Sequence, residues 1–231
     1  PHYQSREADG RFDRDLLREM GALGLVAPDL PEQFGGIGAP GLTQGVVIEE
    51  IGQGDLNVAY VQLLGSLIGG VMAEHAPKDL AAESVLGIAE GRVLPALGLT
   101  EPRGGTDAAN LQLRARRDGG DWVLDGEKAS ISCANQADAI LVAARTGEQD
   151  SGARGVTAFW VVMNTPCVSN SAYDDLGSLA VGRGSVWFDG VRVPDSRRVG
   201  DEGMGFIRVM QGFDYSRALI ALMCLGSARA S

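Results

Sequence analysis

The chain has 231 residues, is 45% hydrophobic and carries a formal net charge of −10. That allows one large or two small domains with a real core, and it argues against a nucleic-acid binder, which would carry a basic face. Three widely spaced cysteines and two histidines exclude zinc spacing, a disulfide framework and a histidine-rich metal centre; no metal site is assigned, and a reducing compartment is favoured.

Residues 12 to 92 read as helices. Phe12, Leu16, Leu17, Met20 and Leu23 recur at helical spacing, and Gly21 and Gly24 end that element. A loop rich in Gly and Pro follows, from Pro28 to Pro40. Leu42, Val46, Val47 and Ile51 form a second apolar stripe. Asp55 is placed to cap a third helix. From Leu56 to Met72 there is no charged residue, near the length of a marginal membrane span. Asn57, Gln62 and Ser66 interrupt the run and no basic flank follows, so a helix buried on all sides is expected, with no membrane. Leu80, Ala81, Val85 and Ile88 mark a fourth helix, closed by Gly91.

Near Val93 the period changes from that of a helix to two. Leu111, Leu113 and Ala115 alternate with Gln112, Arg114 and Arg116. The arginines there are followed by Asp118 and Asp121 and read as a solvated strand edge and turn. Asp125-Gly126 is a hairpin signal. Further short strands are expected at 140–144, 156–163, 185–188 and 191–193, and together they suggest a closed or nearly closed β-barrel. Trp187 and Phe188 are expected in its core. Pro194 ends this segment, and from Gly205 Phe206, Val209, Met210 and Phe213 return to helical spacing. Without strand–helix alternation a dinucleotide-binding sheet is not expected. The chain opens on Pro1 and its last apolar helix runs towards Ser231, so a longer protein is expected.

Three runs bear on chemistry. In Leu97-Gly98-Leu99-Thr100-Glu101-Pro102-Arg103-Gly104-Gly105-Thr106-Asp107 a strand leads into a glycine turn with hydroxyls on both sides. Glycines let a ligand approach the backbone, and exposed N–H groups suit a phosphate or flavin edge; an ordinary β-turn with Asp107 as cap reads equally well. In the run 125–132, Ser130 and Ser132 are expected on one strand face with Ile131 on the other. Those hydroxyls can meet a polar ligand edge or simply solvent. In Phe213-Asp214-Tyr215-Ser216-Arg217, Asp214 and Arg217 stand at i and i+3. They make either a local ion pair or, through Arg217, a contact to an anionic or carbonyl-bearing ligand.

These runs, with Leu23-Gly24-Leu25, Pro31-Glu32-Gln33-Phe34-Gly35-Gly36, Glu49-Glu50, Gly126-Glu127-Lys128, Val191-Arg192-Val193-Pro194 and Gly203-Met204-Gly205-Phe206, resemble the acyl-CoA dehydrogenase family in order and spacing over essentially the whole chain. The resemblance implies an α+β multidomain protein. Its parts would be an all-α N-terminal domain over residues 1–94, a β-barrel middle domain over 95–202, and over 203–231 the start of an α-helical bundle C-terminal domain, here truncated.

The resemblance also implies an FAD cofactor lined by Leu97, Gly98, Leu99, Thr100, Gly105, Thr106, Ser130, Ile131 and Ser132. The acyl-CoA substrate would be bordered by Thr106, Asp214 and Arg217, with the adenine end of CoA near Gln149 and Ser151. The reaction it implies is α,β-dehydrogenation of an acyl-CoA to a 2-enoyl-CoA, with the catalytic base a Glu beyond Ser231 and Glu101 structural. Members act with an electron-transfer flavoprotein or similar acceptor, as homotetramers or homodimers, in the bacterial cytoplasm or the mitochondrial matrix. Ser130 stands where many members have an aromatic residue, Ser132 where they have Thr, and Arg103 where they have a small residue. The stretch 128–132, with Ala137-Asp138 and 214–217, is most similar to members acting on alicyclic acyl-CoA, such as the cyclohexanecarboxyl-CoA dehydrogenases. Two other readings share the pattern: a flavin monooxygenase or nitrososynthase on the same fold, and a non-catalytic acyl-CoA-binding protein.

Overall fold

The computed structural model describes residues 2–231. Six α-helices span Tyr3–Asp9 (α1), Arg14–Ala22 (α2), Gly41–Gly54 (α3), Leu56–His75 (α4), Lys78–Ala89 (α5) and Gly205–Ala230 (α6). Between α5 and α6 lie eight strands: Pro95–Gly98 (β1), Arg114–Asp118 (β2), Asp121–Ser132 (β3), Ala139–Arg145 (β4), Val156–Val162 (β5), Val168–Ala172 (β6), Arg183–Pro194 (β7) and Arg198–Val199 (β8). The order helix, sheet, helix is the one expected.

Capping carboxylates set two helix starts. Asp13 accepts from the backbone N–H of Asp15 and Leu16 at 3.0 and 3.1 Å, and Asp55 does the same for Asn57 at 2.9 Å. The apolar run 56–72 becomes α4, buried on nearly every side and packed against α3, α5 and α6. By length and composition α4 could cross a membrane, but 72% of its apolar window is buried inside the fold.

Half of the stripe expected on α3 faces inward: Val47 and Ile51 are half-buried, and Ile51 packs on the core; the other half faces out. Leu42 and Val46 are 82% and 55% exposed, and the buried positions are Gln44, Gly45, Ile48 and Gly52. The reason is close backbone approach to α6. A Cβ at Gly52 would lie 2.5 Å from the Met223 carbonyl oxygen. Small residues, not apolar bulk, select the face here. The helix α1 was not expected, since it buries no residue. It is held by the ion pair of Arg6 with Asp55, at 2.6 Å.

The strands form one sheet in the order β6-β7-β3-β2-β4-β5-β8, with β1 paired parallel to β4. It wraps round a single core in which Trp122 of β3 meets Phe159 of β5 edge-on, centroids 5.3 Å apart. The strand β4 is buried on both faces. Ile140, Val142 and Ala144 point into the sheet core, and Leu141 and Ala143 into the helical core. One sheet face therefore serves as the floor for the helices.

Three local expectations are corrected. Asp125-Gly126 is not a hairpin turn but lies inside β3. The turn is at 118–121, where Asp118 pairs with Asp121. The glycine signal at 126 instead marks an irregular stretch of ladder: Gly126 has φ +141°, and the register with β7 shifts beside it. Secondly, 185–188 and 191–193 are one strand, β7, bent at Gly190 (φ +66°), whose N–H donates to Asp125 at 2.8 Å. Thirdly, neighbouring residues of one strand cannot share a core: Phe188 is buried, while Trp187 is 36% exposed.

Candidate functional site

The turn after β1 is fixed from below by a buried ion pair. The carboxylate of Glu101 accepts from the N–H groups of Gln112 and Leu113 at 2.6 and 2.9 Å, and from Lys128 Nζ at 2.8 Å. Lys128 also donates to the Leu99 carbonyl at 3.2 Å, and the Ala129 N–H to the Thr100 carbonyl at 2.9 Å. Burial pushes the Lys128 ammonium down to about 8, with the charge of Glu101 opposing the shift. Every oxygen of Glu101 is thus engaged, and Thr100 is locked against β3.

The end of β3 departs from strict alternation. Its pairing with β7 shifts between Lys128 and Ile131, and Ser130 takes a left-handed φ of 55°. The Ser130 N–H donates to the Tyr173 hydroxyl at 3.2 Å. Tyr173 in turn meets Ser185 at 3.0 Å, and Ser185 donates to Glu127 at 2.8 Å. This polar chain from β7 and the segment after β6 holds the bulge.

Thr100 and Ser132 open onto one cleft of about 170 Å³ between this strand–turn pair and the helices α4 and α6. Leu97, Leu99, Ser130 and Ile131 also line it, facing Leu63, Leu64 and Leu67 of α4 and Phe213 and Ser216 of α6. The Tyr60 hydroxyl of α4 lies 3.0 Å from Ser132 Oγ. Tyr60 and Ser132 also border a second hollow of about 560 Å³, towards Asn57, Asp174, Asp175 and Arg183. Hydroxyl donors set on an apolar wall suit a flat ring with one apolar and one polar edge, such as a flavin. On this donor set the residues fit FAD.

Other candidates lie elsewhere. Gly98 is buried, and a Cβ on it would meet Ile140 and Val142 of β4 rather than the cleft. Gly105 and Thr106 sit in the exposed part of the turn, outside the cleft lining. Asp214 and Arg217 pair with each other at 2.6 Å, with both side chains mostly exposed, so the local ion pair is the state observed. Gln149 donates to Asn110 at 2.7 Å, and Ser151 lies 3.4 Å from buried Arg145. Tyr60 and Tyr173 escape the sequence reading, and Ser216 stands in the run 213–217 without a role of its own. Tyr60 sat unmarked in a run read as core, and its partner is 72 residues away.

The comparisons agree with this geometry. The family model "Acyl-CoA dehydrogenase, N-terminal domain" matches residues 1–92 and "Acyl-CoA dehydrogenase, middle domain" matches 96–191. The probable acyl-CoA dehydrogenase YngJ of Bacillus subtilis (strain 168) is 30% identical over 100% of this chain and 61% of its own length. The mitochondrial short-chain specific acyl-CoA dehydrogenase of Bos taurus is 33% identical, over 97% of this chain and 55% of its own. The structure of butyryl-CoA dehydrogenase from Megasphaera elsdenii superposes with a TM-score of 0.93 at 29% identity, over 100% of this chain and 61% of that one. The chain therefore spans about three-fifths of the length of the relatives it matches. With both family models matching in sequence order and the fold shared throughout, the chain belongs to the acyl-CoA dehydrogenase family.

Proposed function

We propose that the chain is the N-terminal and middle part of an FAD-dependent acyl-CoA dehydrogenase that converts an acyl-CoA thioester to its 2-enoyl-CoA. The observation that carries this reading is the shared cleft of Thr100 and Ser132 in a chain of this family. Bound FAD supplies the acceptor for the β-hydride, which no side chain can take. Thr100 and Ser132 would donate hydrogen bonds to the polar edge of the ring, with Thr100 held for that task by the Ala129 N–H and by the pair Lys128–Glu101 on either side of it. Leucines of α4 and Phe213 of α6 keep water from the reacting carbons.

The α-proton of a thioester is weakly acidic and needs a carboxylate base held close in a dry site. No Asp or Glu lines the 170 Å³ cleft, and the oxygens of Glu101 are occupied. As the family resemblance implies, the base is assigned to a Glu beyond Ser231. Gly105 and Thr106 are assigned to the flavin and CoA arm, and Asp214 and Arg217 to the border of the acyl-CoA channel, where their present ion pair would open towards substrate. The similarity of 128–132 and 214–217 to members acting on alicyclic acyl-CoA supports a compact cyclic acyl group. An electron-transfer flavoprotein is proposed as acceptor. A homotetramer or homodimer is proposed as the working form, in the bacterial cytoplasm or, for a eukaryotic source, the mitochondrial matrix.

The test is anaerobic titration of the full-length flavoprotein with straight, branched and cyclic acyl-CoAs. Bleaching of the visible flavin bands by at least one is expected, strongest with a compact cyclic acyl group. A purified protein that carries flavin but is bleached by none contradicts the reading. Rapid reoxidation by air with product bound would favour a monooxygenase.

A further inference from the structure

Helices α3, α4 and α6 meet in layers. Ile48 of α3, Ala59 and Leu63 of α4, and Leu219 and Met223 of α6 form one apolar layer. The helices α3 and α6 run the same way, since Gly41 abuts Tyr215 and Gly226 abuts Glu49. Helix α4 runs against them, with Gly212 on Leu67 and Val71. One helical turn on, back along α3 and α6 and forward along α4, stand Gln44, Tyr215 and Ser66. The loop after α2 adds Asp29, whose carboxylate accepts from the Ser66 hydroxyl. Gln62, one turn before Ser66, donates to the Leu25 carbonyl of the same loop at 2.6 Å. A polar layer therefore lies beside the apolar one, inside the helix bundle.

Protein groups alone do not satisfy that layer. Gln44 is 0% exposed, and neither its amide oxygen nor its amide nitrogen has a protein partner. Asp29 Oδ1 and Gln62 Oε1 are likewise shut off from solvent without a donor. Burial pushes the Asp29 carboxyl up, and the nearby Ser66 and Tyr215 hydroxyls oppose the shift. A buried polar atom without a partner costs its full desolvation, and native structures satisfy such atoms with ordered water where no protein group reaches. An internal water needs about two to four polar partners. The layer supplies acceptors in Asp29 Oδ1, Gln62 Oε1 and Gln44 Oε1, and a donor in Gln44 Nε2.

We propose that this layer is an internal water site. Ordered water donates to Asp29 Oδ1 and Gln62 Oε1 and accepts from Gln44 Nε2, tying the loop after α2 to α3 and α4. The site lies behind the stretch of α6 that carries Phe213 and Ser216 to the cleft, where Tyr215 beside them reaches Gly41 and Asp29. Neither Asp29, Gln44, Gln62 nor Ser66 lines the cleft itself, so the water site does not depend on the dehydrogenase reading.

Two measurements on the full-length holoenzyme test this. The first is a crystal structure at a resolution that shows ordered water. Density for water is expected within about 2.7–3.2 Å of Asp29 Oδ1 and of a Gln44 amide atom. A dry layer, whether Gln44 is bonded directly to Asp29 or Gln62 or the space between them is closed, overturns the proposal. The second is the thermal midpoint of Gln44→Met, which nearly keeps the side-chain volume and removes both polar atoms. With water held there, the variant strands Asp29 Oδ1 and Gln62 Oε1 and should melt below the parent. In a dry layer the same change relieves an unpartnered amide and raises the midpoint, so a midpoint equal to or above the parent's overturns the proposal. Should Gln44→Met not fold, the parent crystal decides alone. Bleaching of the flavin by acyl-CoA is read separately, and its outcome leaves the water site standing or fallen on these two measurements.

Discussion

Lys128 and Glu101 lie 2.8 Å apart with side chains 0% and 7% exposed, so neither charge has water to fall back on. Removing one member leaves the other charged and buried. Glu101→Gln should therefore cost about 3–5 kcal/mol, seen as a fall in the urea midpoint at an unchanged slope. Lys128→Met leaves a carboxylate that still accepts from two backbone N–H groups, so it should cost less than Glu101→Gln. The lysine also gives the pair a pH signature. Its folded pKa of about 8 lies below the 10.5 of an ordinary lysine, so between those pH values the unfolded chain holds a proton that the folded chain has released. The contribution of Lys128 to stability therefore rises with pH across that window. Stability of the parent measured from pH 8 to 10 should climb relative to Lys128→Met, and parallel curves would contradict the assignment. At this scale the sequence shows the hydroxyl-bearing runs around Thr100 and Ser132 and the structural character of Glu101. It does not show Tyr60 or the left-handed Ser130. Tyr60 is marked only by a contact 72 residues distant, and Ser130 by a register shift that depends on β7.

Among elements, the crossing of α3 and α6 is set by glycines. A Cβ at Gly226 would collide with the Glu49 carbonyl oxygen, while one at Gly54, at the end of α3, would meet nothing within 4 Å. Gly226→Ala should push α6 away from α3 and cost about 1–3 kcal/mol. Gly54→Ala should be neutral or slightly stabilising. Thermal midpoints of the two variants check this, and equal midpoints would remove close backbone approach as the cause. The same contact explains why Leu42 and Val46 of the α3 stripe face out: an apolar stripe is a guide to burial only where side chains, not backbones, make the interface. Likewise Asp125-Gly126 carries a hairpin signature, but tertiary pairing across twelve residues of β3 and β7 overrides it.

For the whole molecule, the succession of helices, short strands and helix is legible, because the apolar period changes from helical to two near Val93 and back after Pro194. The pairing of the strands is not. Parallel alignment of β1 with β4 joins residues more than forty positions apart, and nothing in local spacing encodes it. That pairing is also what carries Thr100, two residues past the end of β1, to the helical face of the sheet, where Ser132 arrives from β3 and Phe213 from α6. The cleft exists only once all three have met, so its parts can be named from sequence but not its shape. The most direct measurement is a crystal structure of the full-length protein with its flavin bound. The account predicts an isoalloxazine ring in this cleft, its polar edge about 2.7–3.2 Å from the Thr100 and Ser132 hydroxyls. A flavin seated elsewhere, with those hydroxyls turned to solvent, would contradict it.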